Sequence, residues 1–541
     1  MMLRMTKMKM KMRTRAGGAN TPKRGARRAE QAQGPMATED TMLTAAPPFA
    51  TEALAQVKIA LPVGVNMVAS TVRDFITLAF LGRLGQSSSS VELAAAALAG
   101  TLMNMTGKSI IVGLSTAVNT LAGQAYGAGS YARVGFVAQR GVVILTCATL
   151  LLSSIWWHAE AVLLMLYQDG DVAFAAGSYT RGLIPGMFAF AWNLCAQAYL
   201  QSQAITGPQA AAGIAATILH GPINYLLVYH FNMQALGVAL ATSVSTGIVL
   251  AVNSAYIFIL RYLPALREEC EILAHKRDAC APAWSRDELF CVNGAREFLE
   301  LGLPGVFMML EWWASELSIL LAGLLPSPAV AVAAMSIYQT TGSLSYDMAH
   351  GFAQAALTRV SHELGAGAAD KAKHAAFVAT TLILTASLLV SFVIYSFRAE
   401  WPTLFTCWDS VNALASKLLA VLAVYVVFDS LGCTCTGVLR ACAMQKVGAQ
   451  VVIFSYYVIG IPVSLFLAFH NEMGPEGLVL GSLIGTIVHG ALYVALIFRF
   501  DWVAQSESAM ARSQMHVKRS AAAAGDVDEK SSPTPAYGAT V

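Results

Sequence analysis

The chain has 541 residues, of which 56% are hydrophobic and only 12% charged; its mean hydropathy is +0.57 and its formal charge +3. A soluble domain usually carries about 25% charged residues. A water-soluble protein of this composition would have to expose much of its apolar surface, so a bilayer is the expected solvent, and no nucleic-acid partner is expected.

The charge is segregated. Residues 1–28 hold ten basic side chains, from Arg4 to Arg28, and no acid. Such a run reads first as a solvated tail at a membrane face. The sharper reading is an organelle transit segment, although the usual Ser enrichment is missing. A signal peptide is excluded because no apolar core follows within the block. Residues 1–56 are accordingly taken as a basic, disordered cytoplasmic tail.

Twelve stretches are then long and apolar enough for bilayer-crossing helices, which need about 20 residues. They are 57–82, 93–118, 137–157, 175–200, 207–231, 235–261, 296–324, 328–354, 375–397, 411–437, 446–469 and 477–498. Their even apolarity excludes the alternating strands of an outer-membrane barrel. Six stretches form an N-terminal lobe over 57–262. A polar loop over 263–295 follows, then a C-terminal lobe over 296–500, then a tail over 501–541 that reads as disordered. The basic residues Arg267, Lys276, Arg277 and Arg286 of the long loop, with Arg133, Lys371, Lys373 and Lys446, fall on the side of the basic tail. Arg83 and Arg398 are the main exceptions on the opposite side. The positive-inside rule therefore places both termini in the cytoplasm.

The two lobes repeat. Leu61-Pro62 matches Leu303-Pro304 at an offset of 242, Gly127-Ala-Gly129 matches Gly365-Ala-Gly367 at 238, and Gly237-Val-Ala-Leu matches Gly477-Leu-Val-Leu at 240. Six crossings return the chain to its starting side. The repeats are then parallel, about a pseudo-twofold axis along the membrane normal, and a substrate site is expected near the midplane between them.

Charges inside such helices are costly and usually face a cavity or a partner. Asp74, Glu311, Glu316 and Asp429 therefore stand out. Glu311 and Glu316 are five residues apart, hence about 140° apart around a helix, and are not expected to face one narrow cleft together. Glu311 is the better cavity candidate, with Trp312 and Trp313 as indole faces for a cation. Arg73 and Asp74 diverge by about 100° and should each find a partner elsewhere. Tyr199, Gln201, Gln203, Tyr456 and Tyr457 read as interfacial anchors. Cys433-Thr-Cys435 reads as a pair of small packing residues, not a metal site. No Gly-x-x-x-x-Gly-Lys-Ser/Thr, His-Glu-x-x-His or Gly-x-Ser-x-Gly occurs, which argues against an ATP-driven pump or an intramembrane hydrolase.

Ala122-Gly-Gln-Ala-Tyr-Gly-Ala-Gly129, Leu310-Glu-Trp-Trp-Ala-Ser-Glu316 and Thr358-Arg-Val-Ser-His-Glu-Leu-Gly-Ala-Gly367 are three marked motifs. Gly437-Val-Leu-Arg440, Gln445-Lys-Val-Gly-Ala449 and Tyr456-Tyr-Val-Ile-Gly-Ile-Pro462 add to them. Together they make residues 57–500 resemble the eukaryotic branch of the MATE (multidrug and toxic compound extrusion) transporters. The resemblance implies twelve helices in two lobes, an internal cavity, and cation-coupled export without an organic cofactor or a bound metal. The coupling ion would be the proton, with sodium the weaker alternative. It also implies that Glu311 and Asp429 serve coupling and substrate recognition, with Glu316 as the second acid of its motif. Arg73-Asp74, Asp347 and Gln339 depart from the branch's usual residues.

The expected function is an antiporter of small organic solutes, monomeric, in the plasma or vacuolar membrane, with the plastid envelope as a third location. The alternatives are an organic-anion exporter of citrate type using Arg73, a lipid-linked precursor flippase, an intramembrane enzyme and a non-transporting receptor.

Overall fold

The computed structural model describes residues 46–84, 89–262 and 289–513. Residues 1–45, residues 263–288 of the long loop with Cys270 and Cys280, and residues 514–541 lie outside the described residues, as do the expectations that fall on them. Within the described residues the chain is all helical. That follows from the solvent, because a backbone crossing hydrocarbon must satisfy its own N–H and C=O groups.

The N-terminal half runs through α1 (Phe49–Leu81), α2 (Ser89–Met103), a π-helical turn (Asn104–Lys108), α3 (Ser109–Gly127), α4 (Tyr131–Trp157), α5 (Ala159–Met165), α6 (Gly170–Gln201), α7 (Gly207–Tyr225) and α8 (Gln234–Tyr262). The C-terminal half runs through α9 (Val292–Met308), α10 (Leu310–Ala322), α11 (Pro328–Gly365), α12 (Ala369–Ser396), α13 (Asp409–Ala441), α14 (Gln445–Val452), a π-helical stretch (Ile453–Gly460), α15 (Ile461–Leu465) and α16 (Pro475–Phe498). Ten helical segments among the described residues are long and apolar enough to cross a membrane. The expected second and eighth stretches do not meet that measure, although both are helical. The second is divided by the π turn and carries Lys108, and the eighth, α11, carries Asp347, His350, Arg359 and Glu363. These two helices face the other half of the protein rather than lipid, which explains their polarity.

The repeat seen in the sequence reappears in backbone detail. Gly129 and Gly367 end their motifs at φ +71° and +80°, a conformation that favours glycine. Ala204 and Ala443, 239 residues apart, both adopt positive φ, and so do Asn232 and Glu472, 240 apart. The π turns Leu226–His230 and Phe466–His470 also differ by 240. Helix packing obeys the same symmetry. α1 packs on α11 and α3 packs on α9, so each half lends its first two crossing segments to the other. A Cβ at Gly351 of α11 would stand 2.6 Å from the Ala60 carbonyl of α1, and Gly113 of α3 is pressed on the α9 backbone at Val306.

α3 and α11 cross at their C-terminal ends. Gly127 lies against His362 and Gly365 lies against the Gln124 carbonyl. No β-carbon fits at either crossing, so the motif glycines are contact residues as well as turn residues. Gly365→Val is expected to lower the melting temperature of the purified protein by more than 5 °C, as overpacking against backbone costs about 1–3 kcal/mol or more. An unchanged melting temperature would mean that the two halves do not meet there.

This crossing belongs to a sealed face, called proximal here because α1 begins on it. Arg359 donates two hydrogen bonds to Glu52, at 2.9 and 2.7 Å, and pairs with Glu363 at 3.1 Å. Gln56 donates to the Ala375 carbonyl at 2.9 Å, Gln124 to that of Ala441 at 2.7 Å, and Arg133 pairs with Glu297 at 2.7 Å. Apart from the Arg359–Glu363 pair, which lies within α11, each of these links joins one half to the other.

Two tail boundaries differ from the sequence reading. α1 begins at Phe49 with Glu52 and Gln56 buried, inside the segment assigned to the N-terminal tail. These two polar residues hid the helix start, and their partners lie more than 300 residues away. Residues 502–513, assigned to a disordered tail, form a further helix, α17, that buries Trp502 and Ala509. Ser506 donates to the Leu364 carbonyl at 3.2 Å and Arg512 to Gln124 Oε1 at 3.1 Å, and Arg133 donates to the Arg512 carbonyl. α17 therefore covers the α3–α11 crossing. Its polar composition suited a surface helix and was mistaken for disorder.

Candidate functional site

On the side away from the sealed face the halves separate around a cavity of about 410 Å³. Asp74, on its wall, lies 22 residues along α1 from Glu52, about 33 Å at 1.5 Å per residue. The walls come from α1, the π turn before α3, α10, α11, α13, Tyr456 of the second π-helical stretch, and α16.

α10 owes its position to a break in the helix. Pro304 removes a backbone donor from α9, and at Met309 the ladder tightens. The Met309 N–H donates to Val306 and the Trp312 N–H to Met309, both at 3.0 Å and both three residues back. The Tyr457 hydroxyl donates to the carbonyl of Leu310, the first residue of α10, at 3.0 Å. α10 is thus a short helix standing in the cavity, not a wall at its side. Its residues Glu311, Trp312, Trp313, Ser315, Glu316 and Ser318 all line the space. The expectation that Glu311 and Glu316 could not both face one cleft is corrected on this point. Their 140° separation stands, but the cavity wraps around the helix that carries them.

Glu311 Oε1 accepts a hydrogen bond from the Tyr456 hydroxyl at 2.8 Å and lies 3.9 Å from His489 Nδ1. Tyr456 also lies 3.3 Å from Thr486 Oγ1 and from His489 Nδ1. His489 and Thr486 are fully buried on α16. Asp429 is buried on α13 beside Tyr425, in the field of Glu311. Two carboxyls, two tyrosines and a histidine therefore share one polar nucleus in the C-terminal half. Tyr456 and Tyr457 are not interfacial anchors but ligands of α10. The predicted span 446–469 already held both near its middle, where an interfacial anchor is out of place.

The indoles divide their work. Trp313 donates to Ser109 Oγ across to the N-terminal half at 3.2 Å, while Trp312 packs edge-on to Tyr346 with centroids 6.3 Å apart. Ser315 donates to Gln339 Oε1 at 3.0 Å. Asp74 lines the cavity, and so does Lys108, whose charge acts on Asp74 and Glu316. Asp347 accepts a hydrogen bond from Thr71 at 2.7 Å.

Arg73 is not a lining residue, contrary to expectation. Its guanidinium donates to the Gly213 carbonyl at 3.2 Å and to Thr217 Oγ1 at 3.1 Å, both on α7. The divergence of neighbouring helix residues sends Asp74 into the cavity and Arg73 into the N-terminal half.

The sequence reading missed Lys108 and Tyr338 as lining residues and His489 as a neighbour of Glu311. Lys108 was legible as a charge inside the second apolar stretch. Cys433 and Cys435 are buried packing residues.

Two parallel helical halves, sealed at one face and open around a midplane cavity, define a polytopic membrane transporter. The MatE family model matches residues 62–226 and 305–466, one segment in each half and more than half of the chain together. The chain belongs to the MATE family. Protein DETOXIFICATION 16 of Arabidopsis thaliana is 32% identical over 446 residues, covering 82% of this chain and 87% of that protein. Protein DETOXIFICATION 13 of the same plant is 32% identical over 465 residues, covering 86% and 92%. Among solved structures, the eukaryotic MATE transporter AtDTX14 superposes with a TM-score of 0.78 at 29% identity, over 86% of this chain and 99% of that one. An outward-facing multidrug resistance MATE transporter of the MOP superfamily matches in fold at TM-score 0.73 and 17% identity, over 86% and 98% of the two chains.

Proposed function

We propose that this transporter is a secondary antiporter that exports a small organic cation in exchange for protons by alternating access. The observation that carries the reading is the polar nucleus around Glu311. No Lys or Arg lines the cavity beside Glu311 and Asp429, so their charge is balanced either by a proton or by an arriving cation. The two exclude each other, and that exclusion is the coupling. Trp312 and Trp313 supply faces on which an apolar cation is attracted, and Glu316 extends the acidic wall. No organic cofactor or resident metal enters this scheme, and one chain suffices for it.

The basic tail and loops support a cytoplasmic position for the proximal face. The cavity then opens to the other side, and the conformation described is the one that releases cargo and takes up protons. The plasma membrane, the vacuolar membrane and, third, the plastid envelope are the membranes proposed for it.

Organic-anion export is the second reading. Its candidate contact, Arg73, is held by α7. Lys108 is the single base among the lining residues, against five carboxyls. The same imbalance weighs against a lipid-linked anionic precursor.

The test is exchange in proteoliposomes of the full chain under an imposed proton gradient, an imposed sodium gradient, or neither, with labelled tetraethylammonium and labelled citrate. Proton-dependent movement of tetraethylammonium, at least tenfold above the gradient-free rate, is expected. Movement of citrate alone, or dependence on sodium alone, would overturn the proposal.

A further inference from the structure

We infer that α17 is a latch on the proximal face. Its apolar side is fixed to the C-terminal half, its last turn clasps the N-terminal half through Arg512, and the face opens only when that turn lets go. The inference rests on the proposed alternating access and adds to it a device, built into the fold, that controls the opening.

The first ground is that α17 is a built helix with one docking side. Asp501 caps it, its Oδ1 accepting hydrogen bonds from the Val503 and Ala504 N–H groups, both at 3.1 Å. Trp502, Ser506, Ala509 and Ser513 are buried. Their spacing of three or four residues puts them on one face. Val503, Ala504, Glu507, Ser508 and Ala511 are exposed.

The second ground is that the docking side belongs to the C-terminal half. Only Arg499, Phe500 and Asp501 separate α17 from the end of α16. Trp502 and Ala509 share an apolar cluster with Leu364 of α11, Ala376 of α12 and Val438 of α13. The Ser506 hydroxyl donates to the Leu364 carbonyl at 3.2 Å, and Met510 lies against Gly367 just beyond α11. When the halves rock, α17 therefore travels with the C-terminal one.

The third ground is that the last turn reaches the other half. Arg512 Nε donates to Gln124 Oε1 on α3 at 3.1 Å, and Arg133 of α4 donates to the Arg512 carbonyl. The Gln124 amide also donates to the Ala441 carbonyl of α13 at 2.7 Å. Arg512 thus holds the acceptor end of a side chain whose donor end already ties the halves together. α17 lies over the crossing of α3 and α11, and when those helices part it cannot follow both. The contacts that yield are the polar ones at Arg512, because water can replace a hydrogen bond but gives nothing back for apolar surface pulled from its cluster.

The first test uses the full-length chain in lipid nanodiscs without gradient or cargo, so that opening is read independently of antiport. Spin labels on Ala132→Cys of α4 and Lys373→Cys of α12, two exposed positions beside the proximal turns, report the separation of the halves once the other reactive cysteines are removed. Arg512→Ala should raise the widely separated population at least threefold, the latch having favoured the closed form alone. Arg512→Lys keeps a donor toward Gln124 and should stay near the wild-type population, and Glu507→Ala, on the exposed side of α17, should change nothing. The second test is cross-linking with a reducible bifunctional thiol reagent. Joining Arg512→Cys to Gln124→Cys should lower tetraethylammonium exchange about tenfold, with recovery on reduction. Joining Met510→Cys to Ala368→Cys, within the C-terminal half, should leave exchange within about twofold of the unjoined chain. An unchanged separation in Arg512→Ala, undiminished exchange across the 124–512 link, or an equal loss from the 368–510 link would overturn the inference. If Arg512→Ala widens the separation while proton-driven exchange fails altogether, the latch stands and the antiport reading falls.

Discussion

Replacing Glu311 by glutamine is expected to reduce proton-driven exchange of tetraethylammonium by about two orders of magnitude, with the melting temperature moved by only a few degrees. The change is nearly isosteric. The amide oxygen still accepts the Tyr456 hydroxyl that now reaches Glu311 at 2.8 Å, so packing around α10 is kept. The charge is lost. A hydrogen bond or contact to an ionised group contributes about 1.5–3 kcal/mol, worth roughly 10- to 150-fold in affinity at 1.4 kcal/mol per decade. Coupling suffers separately, because an amide has no proton to exchange.

The pH dependence has a definite sign. In the proposed mechanism protons and cargo compete for Glu311 and Asp429, so wild-type affinity should rise with pH and fall toward acid. Around Glu311 stand Tyr456, His489 and Asp429, with Tyr346, Tyr425, Tyr493 and Cys433 also in its field. Because Asp429 remains, Glu311→Gln should flatten the pH profile in part, and the double variant with Asp429→Asn should flatten it fully. Normal rates and a normal pH profile in the double variant would end the coupling assignment.

The fold was legible to an unusual depth because bilayer physics leaves so few choices. Apolar length set the helices and the fixed offset of 238–242 set the symmetry. The motif glycines marked the repeat, but that they form the crossing of α3 and α11 is visible only in the structure. The errors share one cause. Where a polar residue had its partner hundreds of positions away, local pattern misread it. Glu52 and Gln56 looked like tail because Arg359 and Ala375 were invisible to them. Tyr456 looked like an anchor because Glu311 was. α17 looked disordered because Leu364 and Gln124, which receive its polar groups, belong to other helices.

The site was legible residue by residue but not as a shape. Asp74, Glu311, Glu316 and Asp429 were each singled out by the cost of a charge in hydrocarbon. That α10 breaks from α9 and stands free in the cavity follows from two backbone bonds at Met309, which no side-chain pattern announces. The π-helical turns escaped for the same reason. They carry Lys108 and Tyr456 into the cavity, in keeping with the tendency of π-helical insertions to fall at functional positions.

Arg359→Ala is expected to unlock the sealed face. Glu52 is 2% exposed and receives two hydrogen bonds from the Arg359 guanidinium, whose side chain is itself 22% exposed. Removing one partner of a buried pair costs about 3–5 kcal/mol, and Glu52 would keep only the neutral Gln56 amide, at 3.1 Å, as a hydrogen-bond donor among the described residues. That cost falls on the conformation described here, in which α1 and α11 are closed together. When the proximal face opens, both side chains meet water and the pair is not needed. The equilibrium between the two forms should therefore move by about two to three decades toward the open one, since a conformational equilibrium shifts by the differential free energy of its two states. Ser361 reports the change, for it is fully buried against Gly123 at the crossing. A cysteine placed there should react with a membrane-impermeant maleimide from the proximal side at least tenfold faster in Arg359→Ala than in its absence. The exposed Cys147 and Cys407, with Cys270, Cys280 and Cys291 of the long loop, are removed beforehand. Exchange should slow, since a transporter held open at one face completes fewer cycles. Exchanging the charges, Glu52→Arg with Arg359→Glu, should restore closure in part, limited by Glu363, which now pairs with Arg359 at 3.1 Å and would then oppose its replacement. Unchanged labelling in Arg359→Ala would show that the remaining links, Gln56 to Ala375, Gln124 to Ala441 and Arg133 to Glu297, hold the face shut without it.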